Sequence, residues 1–121
     1  MLIALMRMIG VHDGCSDDEI RAYGLLLNRE DGGRAFLQMM RSFERTRPFE
    51  ERTLAALRAR AFPAQVIWGA EDPALKLGKF GPEVRDVLRA PDIYTVRGKH
   101  FLQEDSPTEI ARKIAELSSA A

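Results

Sequence analysis

The sequence predicts an α/β fold. A helical region over residues 1–61 precedes a βαβ unit with parallel strands and a closing helix over residues 62–121. Three observations carry this. Val66-Ile67-Trp68 and Ile93-Tyr94-Thr95-Val96 are short runs of strand-forming residues. The segment between them is long enough for one helix, and strand, helix and strand within about 35 residues form a βαβ unit. Ahead of Phe62-Pro63 the apolar spacing is helical throughout.

The elements follow in order. Met1 to Ile9 is apolar apart from Arg7 and reads as a buried or cap helix. Val11 to Ser16 is a loop, marked by Asp13-Gly14. Ser16 is the N-cap of the next helix, and Glu19 completes a capping box. Ile20, Tyr23 and Leu27 form its apolar stripe, with Gly24 a weak point inside it. A turn over 28–33 leads to a helix whose broad apolar face is Phe36, Leu37, Met39, Met40 and Phe43. Thr46-Arg47-Pro48 is expected to break it, and a third helix over 49–60 turns Leu54, Leu57 and Ala61 inward. After the first strand, Pro82 suits the first turn of a helix over 82–88. Its crossover should be right-handed, which makes the two strands parallel. Ser106, Pro107 and Glu109 read as N-cap, first residue and capping-box partner of the closing helix, with Ile110, Ile114 and Leu117 as its buried stripe.

Composition narrows the functional classes. A chain of 121 residues with 45% hydrophobic content suits one modest globular domain. Eighteen basic side chains balance eighteen acidic ones, which speaks against nucleic acid or an anionic membrane as partner. A single cysteine, Cys15, cannot form an internal disulfide and fits a reducing compartment. The apolar N-terminal stretch is too short to span a bilayer and lacks a leading basic region, so the expected location is cytoplasmic.

Two positions stand out chemically. Gly69 ends the first strand and Pro73 prevents its continuation, so Asp72 sits on a turn just past the strand's C-terminal end. The second strand ends likewise, and Arg97-Gly98-Lys99 leads to His100. Parallel, adjacent strands would bring Asp72 and His100 to one rim, where open α/β sheets gather their ligands. An acid and a histidine so placed are two members of a nucleophile–His–acid triad. Each has a plainer reading, Asp72 as an Asp-Pro turn residue and His100 as a loop histidine bonded locally. Glu71 competes with Asp72 for the acid role, and Glu104 and Asp105 are expected to favour the closing helix's N-terminus. His12, Asp13, Cys15, Asp17 and Asp18 match no common metal-ligand spacing, and Cys15 has no base marked near it. Met6, Met8, Met39 and Met40 with Phe36 and Phe43 suit core packing or an apolar substrate wall. Gly32-Gly33 is a turn, since no strand precedes it and no Lys-Ser/Thr follows.

Trp68-Gly69-Ala70-Glu71-Asp72-Pro73 resembles the acid turn of many α/β-hydrolases. The stretch from Gly98-Lys99-His100-Phe101-Leu102-Gln103-Glu104-Asp105 to Ser106-Pro107 resembles the histidine loop of haloalkane dehalogenases. Phe36 to Thr46 is similar to cap-domain helices of that group. The resemblance covers nearly the whole chain and implies the C-terminal part of an α/β-hydrolase fold: a cap-like region over 1–61 and a βαβα core portion over 62–121. It implies Asp72 as the catalytic acid, His100 as the catalytic base, a small apolar substrate in the full-length relative, and no cofactor or metal. That group's nucleophile stands on a G-x-[DS]-x-G elbow. The nearest pattern here, Gly10-Val11-His12-Asp13-Gly14, has His12 at its centre and no strand before it. The expectation is a hydrolase portion that holds acid and base but lacks the nucleophile and is inactive alone. Half of a split hydrolase and a non-catalytic interaction module are the alternatives. The apolar free edge of the first strand invites a partner chain or a homodimer.

Overall fold

The computed structural model describes residues 2–119, so Met1 of the predicted N-terminal stretch lies outside it. The chain enters as a short helix, α1 (Leu2–Leu5), which widens into a π turn over Met6–Gly10. The Val11 amide donates to the Met6 carbonyl five residues back at 2.9 Å, the bond of a π turn. Helix α2 (Asp17–Asn28) starts as the sequence predicts. Ser16 Oγ accepts from the Glu19 amide, and the Glu19 carboxylate accepts from the Ser16 amide. Of its stripe, Ile20 is fully buried and Tyr23 half-buried, but Leu27 is exposed.

Helix α3 (Arg34–Arg41) follows Gly33, whose φ of 84° is left-handed. The Asp31 carboxylate accepts the amides of Gly33 and Ala35 at its start. The predicted apolar face of α3 is not buried: Phe36, Leu37, Met39, Met40 and Phe43 are 39–56% exposed. Helix α4 (Arg47–Arg58) begins two residues earlier than predicted. Thr46-Arg47-Pro48 starts it, because the Thr46 hydroxyl accepts from the Phe49 amide and Pro48 stands where a helix has no use for its N–H.

Strands β1 (Val66–Gly69) and β2 (Ile93–Val96) pair in parallel, with Val66 opposite Ile93 and Gly69 opposite Val96. The fold is therefore mixed helix and strand, broadly α/β. The crossover helix α5 (Leu77–Leu88) starts five residues before the predicted position, with Pro82 inside it. Gly81 is buried where α5 meets β2; a Cβ there would lie 2.7 Å from Leu77 Cδ1 and 3.0 Å from Ile93 Cδ1. Helix α4 packs on α5, where Leu54, Leu57, Val84, Val87 and Leu88 line an apolar cavity, and the Arg60 guanidinium caps the Leu88 carbonyl.

A short helix, α6 (Leu102–Asp105), precedes the closing helix α7 (Pro107–Ser119). The expected capping partners are otherwise engaged. Ser106 Oγ donates to the Arg97 carbonyl at 2.6 Å, and Glu109 accepts the Tyr94 hydroxyl. Ile114, expected in the buried stripe, is 54% exposed.

Burial concentrates in two places. Met6, Val11, Cys15 and Ile20 form one cluster, with Ile3, Tyr23 and Phe101 packed against it. Val66, Val96, Val87 and Ala90 are buried around the sheet. The accessible surface is 8894 Å², against roughly 6,600 Å² for a compact monomer of this mass. Among the described residues no helix is long and apolar enough to cross a membrane.

Candidate active site

Parallel pairing in this register puts the ends of β1 and β2 side by side, and the two following loops interlock. The Ala70 amide donates to the Val96 carbonyl at 2.9 Å and the Glu71 amide to the Gly98 carbonyl at 3.0 Å. Gly69 permits this approach: a Cβ there would lie 2.4 Å from the Lys99 carbonyl oxygen and 2.7 Å from that of Gly98.

The interlock brings Asp72 and His100 together. His100 Nδ1 lies 3.0 Å from Asp72 Oδ2. The other carboxylate oxygen, Oδ1, accepts the amides of Ala74 at 2.8 Å and Leu75 at 2.9 Å. Asp72 is 6% exposed at its side chain and His100 35%. Burial pushes the Asp72 carboxyl upward, but the Leu75 amide, His100 and the Ala74 amide together outweigh it and hold it below the ordinary carboxylate range. An anionic Asp72 fixes the proton of His100 on Nδ1 and leaves Nε2 as the basic nitrogen. Both residues line a cavity of about 180 Å³ with Ile67, Trp68, Gly69, Leu75 and Leu102. Trp68 Nε1 donates to the Leu75 carbonyl at 2.8 Å, which fixes that wall.

Glu71, the competing acid, points elsewhere. Its Oε2 lies 3.2 Å from His12 Nε2, yet that nitrogen is buried without a properly directed hydrogen bond, so the contact is one of proximity rather than aligned donation. Glu104 and Asp105, expected to prepare the closing helix, are engaged across the fold. Glu104 accepts the Tyr23 hydroxyl and thereby pushes that phenol up to about 12. Asp105 accepts two backbone amides, His12 at 2.8 Å and Lys99 at 2.9 Å.

The segment 7–12 runs alongside the histidine loop. His100 and Phe101 donate their amides to the carbonyls of Ile9 (3.2 Å) and Gly10 (2.9 Å), and Lys99 Nζ reaches the Arg7 carbonyl. Phe101 stands edge-on to His100, centroids 5.4 Å apart, and stacks on Tyr23 at 6.2 Å. These neighbours of His100 come from the far end of the chain, and no local pattern around His12 or Asp105 announces them.

Cys15 is buried in the N-terminal cluster, and burial, with Glu19 and Glu104 adding to it, pushes its thiol up. A nucleophilic cysteine needs the opposite shift. Of the possible apolar wall, Met6 is core, whereas Met8, Met39 and Met40 with Phe36 and Phe43 are exposed. Among the described residues no three His, Cys, Asp or Glu side chains converge as a metal site would require. Comparison with family models, with curated proteins and with solved structures returned no match.

Proposed function

We propose that this chain supplies the acid and base of an α/β-hydrolase resembling haloalkane dehalogenases, as the C-terminal part of that fold. The observation that carries this reading is the buried Asp72 carboxylate, held by two amides and paired at 3.0 Å with a half-exposed His100. A turn aspartate without a task needs no imidazole partner for its buried carboxylate. His100 Nε2 is the general base toward water or a nucleophilic hydroxyl, and Asp72 stabilises the imidazolium that forms. The nucleophile, Asp or Ser on an elbow, comes from outside these 121 residues. The cavity beside His100, about 180 Å³, is smaller than an ordinary ligand site, as expected where one wall is contributed from elsewhere. Its Ile67, Leu75 and Leu102 lining suits a small apolar substrate.

Co-expression with the strand-and-elbow portion of a haloalkane dehalogenase tests this. The assay panel is a haloalkane, an epoxide and a short-chain p-nitrophenyl ester. Turnover is expected in the mixture only, and His100→Ala abolishes it. No turnover with any of the three would overturn the proposal.

The exposed apolar face of α3 favours a second reading, a non-catalytic interaction module that keeps the hydrolase tail as scaffold. Under it, His100→Ala leaves partner binding untouched.

A further inference from the structure

Asp105 ties the histidine loop to the N-terminal segment through both of its carboxylate oxygens. Oδ2 takes the amide of Lys99, the residue before His100, and Oδ1 takes the amide of His12. The segment so anchored, 7–12, carries the carbonyls of Ile9 and Gly10 that receive the His100 and Phe101 amides. The backbone of His100 is therefore held by the N-terminal segment, while its imidazole is held by the Asp72 carboxylate. A charged acceptor serving two amides is stronger than two neutral bonds.

We infer that Asp105 is a positioning residue for His100: by clamping Lys99 to His12 it sets the loop so that Nδ1–H meets Asp72 while the ring lines the cavity. Its catalytic meaning rests on the hydrolase reading of Asp72 and His100; its structural consequence does not. Asp105→Asn keeps one acceptor oxygen but turns an NH₂ group toward the other amide. The clamp between Lys99 and His12 is then broken on one side, and the Nδ1 distance to Asp72 is less tightly set.

The test reads His100 directly, without substrate. Side-chain ¹⁵N NMR at about pH 8, where an ordinary imidazole is neutral, reports which ring nitrogen carries the proton. Wild-type chain is expected to hold the Nδ1–H form as its major species, and Asp72→Ala, the reference for a lost partner, to make it the minor one. Asp105→Asn is expected to follow Asp72→Ala, with the methyl signals of Val66 and Val96 unmoved. A second pair of variants cuts the clamp from the other side. His12→Ala and His12→Pro both lose the ring, but only the proline loses the amide that Asp105 receives. Val11 is extended, φ −139° and ψ 158°, as a residue before proline should be. The Nδ1–H form should fall in His12→Pro relative to His12→Ala. A wild-type tautomer population in folded Asp105→Asn overturns the inference. If that variant does not fold, equal populations in the two His12 variants overturn it. A clamped His100 in a chain that supports no hydrolysis with any companion would defeat the hydrolase reading and leave this one standing.

Discussion

Gly69 lies directly under the carbonyl of Lys99, where a methyl group would come within 2.4 Å of the oxygen. The contact is with backbone, so no side chain can swing aside. Gly69→Ala must push the histidine loop away from the acid turn. Overpacking of this kind costs about 1–3 kcal/mol, and urea unfolding should show it. The same variant should lose the Asp72–His100 hydrogen bond, read as the disappearance of the His100 Nδ1–H signal. Gly78→Ala is the control: nothing lies within 4 Å of a Cβ there. It sits in α5, where alanine raises helix stability by about 0.5–1 kcal/mol.

Asp72 makes stability depend on pH with a definite sign. Its carboxyl is lower in the folded chain than in the unfolded one, where it takes the ordinary value of about 3.9. Its contribution is therefore complete above that value and is lost as pH falls from there through the folded value. Asp72→Asn should cost about 1–3 kcal/mol near neutrality, the scale of hydrogen bonds to a buried charged acceptor. Denaturant titrations at about pH 6, 4 and 3 should show the gap between wild type and variant shrinking as the pH drops. A constant gap would mean that the charge of Asp72 contributes nothing.

Helix α2 depends on its cap. Ser16 and Glu19 satisfy each other's backbone amides, and burial of Ile20 and Tyr23 needs the first turn in place. Ser16→Ala should cost about 1 kcal/mol and lower Tm by about 3–5 °C. Ser106→Ala is the informative comparison, because its hydroxyl serves the Arg97 carbonyl and not a helix amide. It should loosen the link between the β2 exit and α7 without shortening α7, as judged by unchanged circular dichroism at 222 nm.

What the sequence made legible follows the range of the interactions. The parallel βαβ unit and the Ser16 cap rest on neighbours in sequence and on the handedness of crossovers, and both were readable. So was the meeting of the Asp72 and His100 loops, because parallel pairing dictates it. Ser106 and Glu109 fit a capping box by pattern, but Arg97 and Tyr94 engage them from β2 and its exit. Pro82 suggested a helix start, yet the helix begins at Leu77. His12 and Asp105 are 93 residues apart, and their pairing has no periodic or local signature. The apolar face of α3 gave the right helix and the wrong burial, and in α2 the stripe holds except at Leu27. Periodicity says which face is apolar and is silent on what covers it.

That uncovered surface carries the last prediction. The excess of 8894 Å² over the compact expectation of roughly 6,600 Å² is of the order of a whole protein–protein interface. The α3 face contributes to it, and separately the edge of β1 away from β2 has no strand paired to it among the described residues. Val66, Ile67 and Trp68 put no charge on that edge, and charge is the usual guard against edge-to-edge pairing. Sedimentation and size exclusion over a wide concentration range should therefore show association. Ile67→Lys places a guard on the edge and should restore the monomer if strands pair. Leu37→Glu with Met40→Glu does the same for the α3 face, and should leave stability within about 0.5 kcal/mol, since both side chains are half exposed. Association that survives the α3 pair and fails in Ile67→Lys assigns the contact to the edge, and the reverse assigns it to the helix. A wild-type chain that stays monomeric at every concentration would show that neither surface pairs with its own copy.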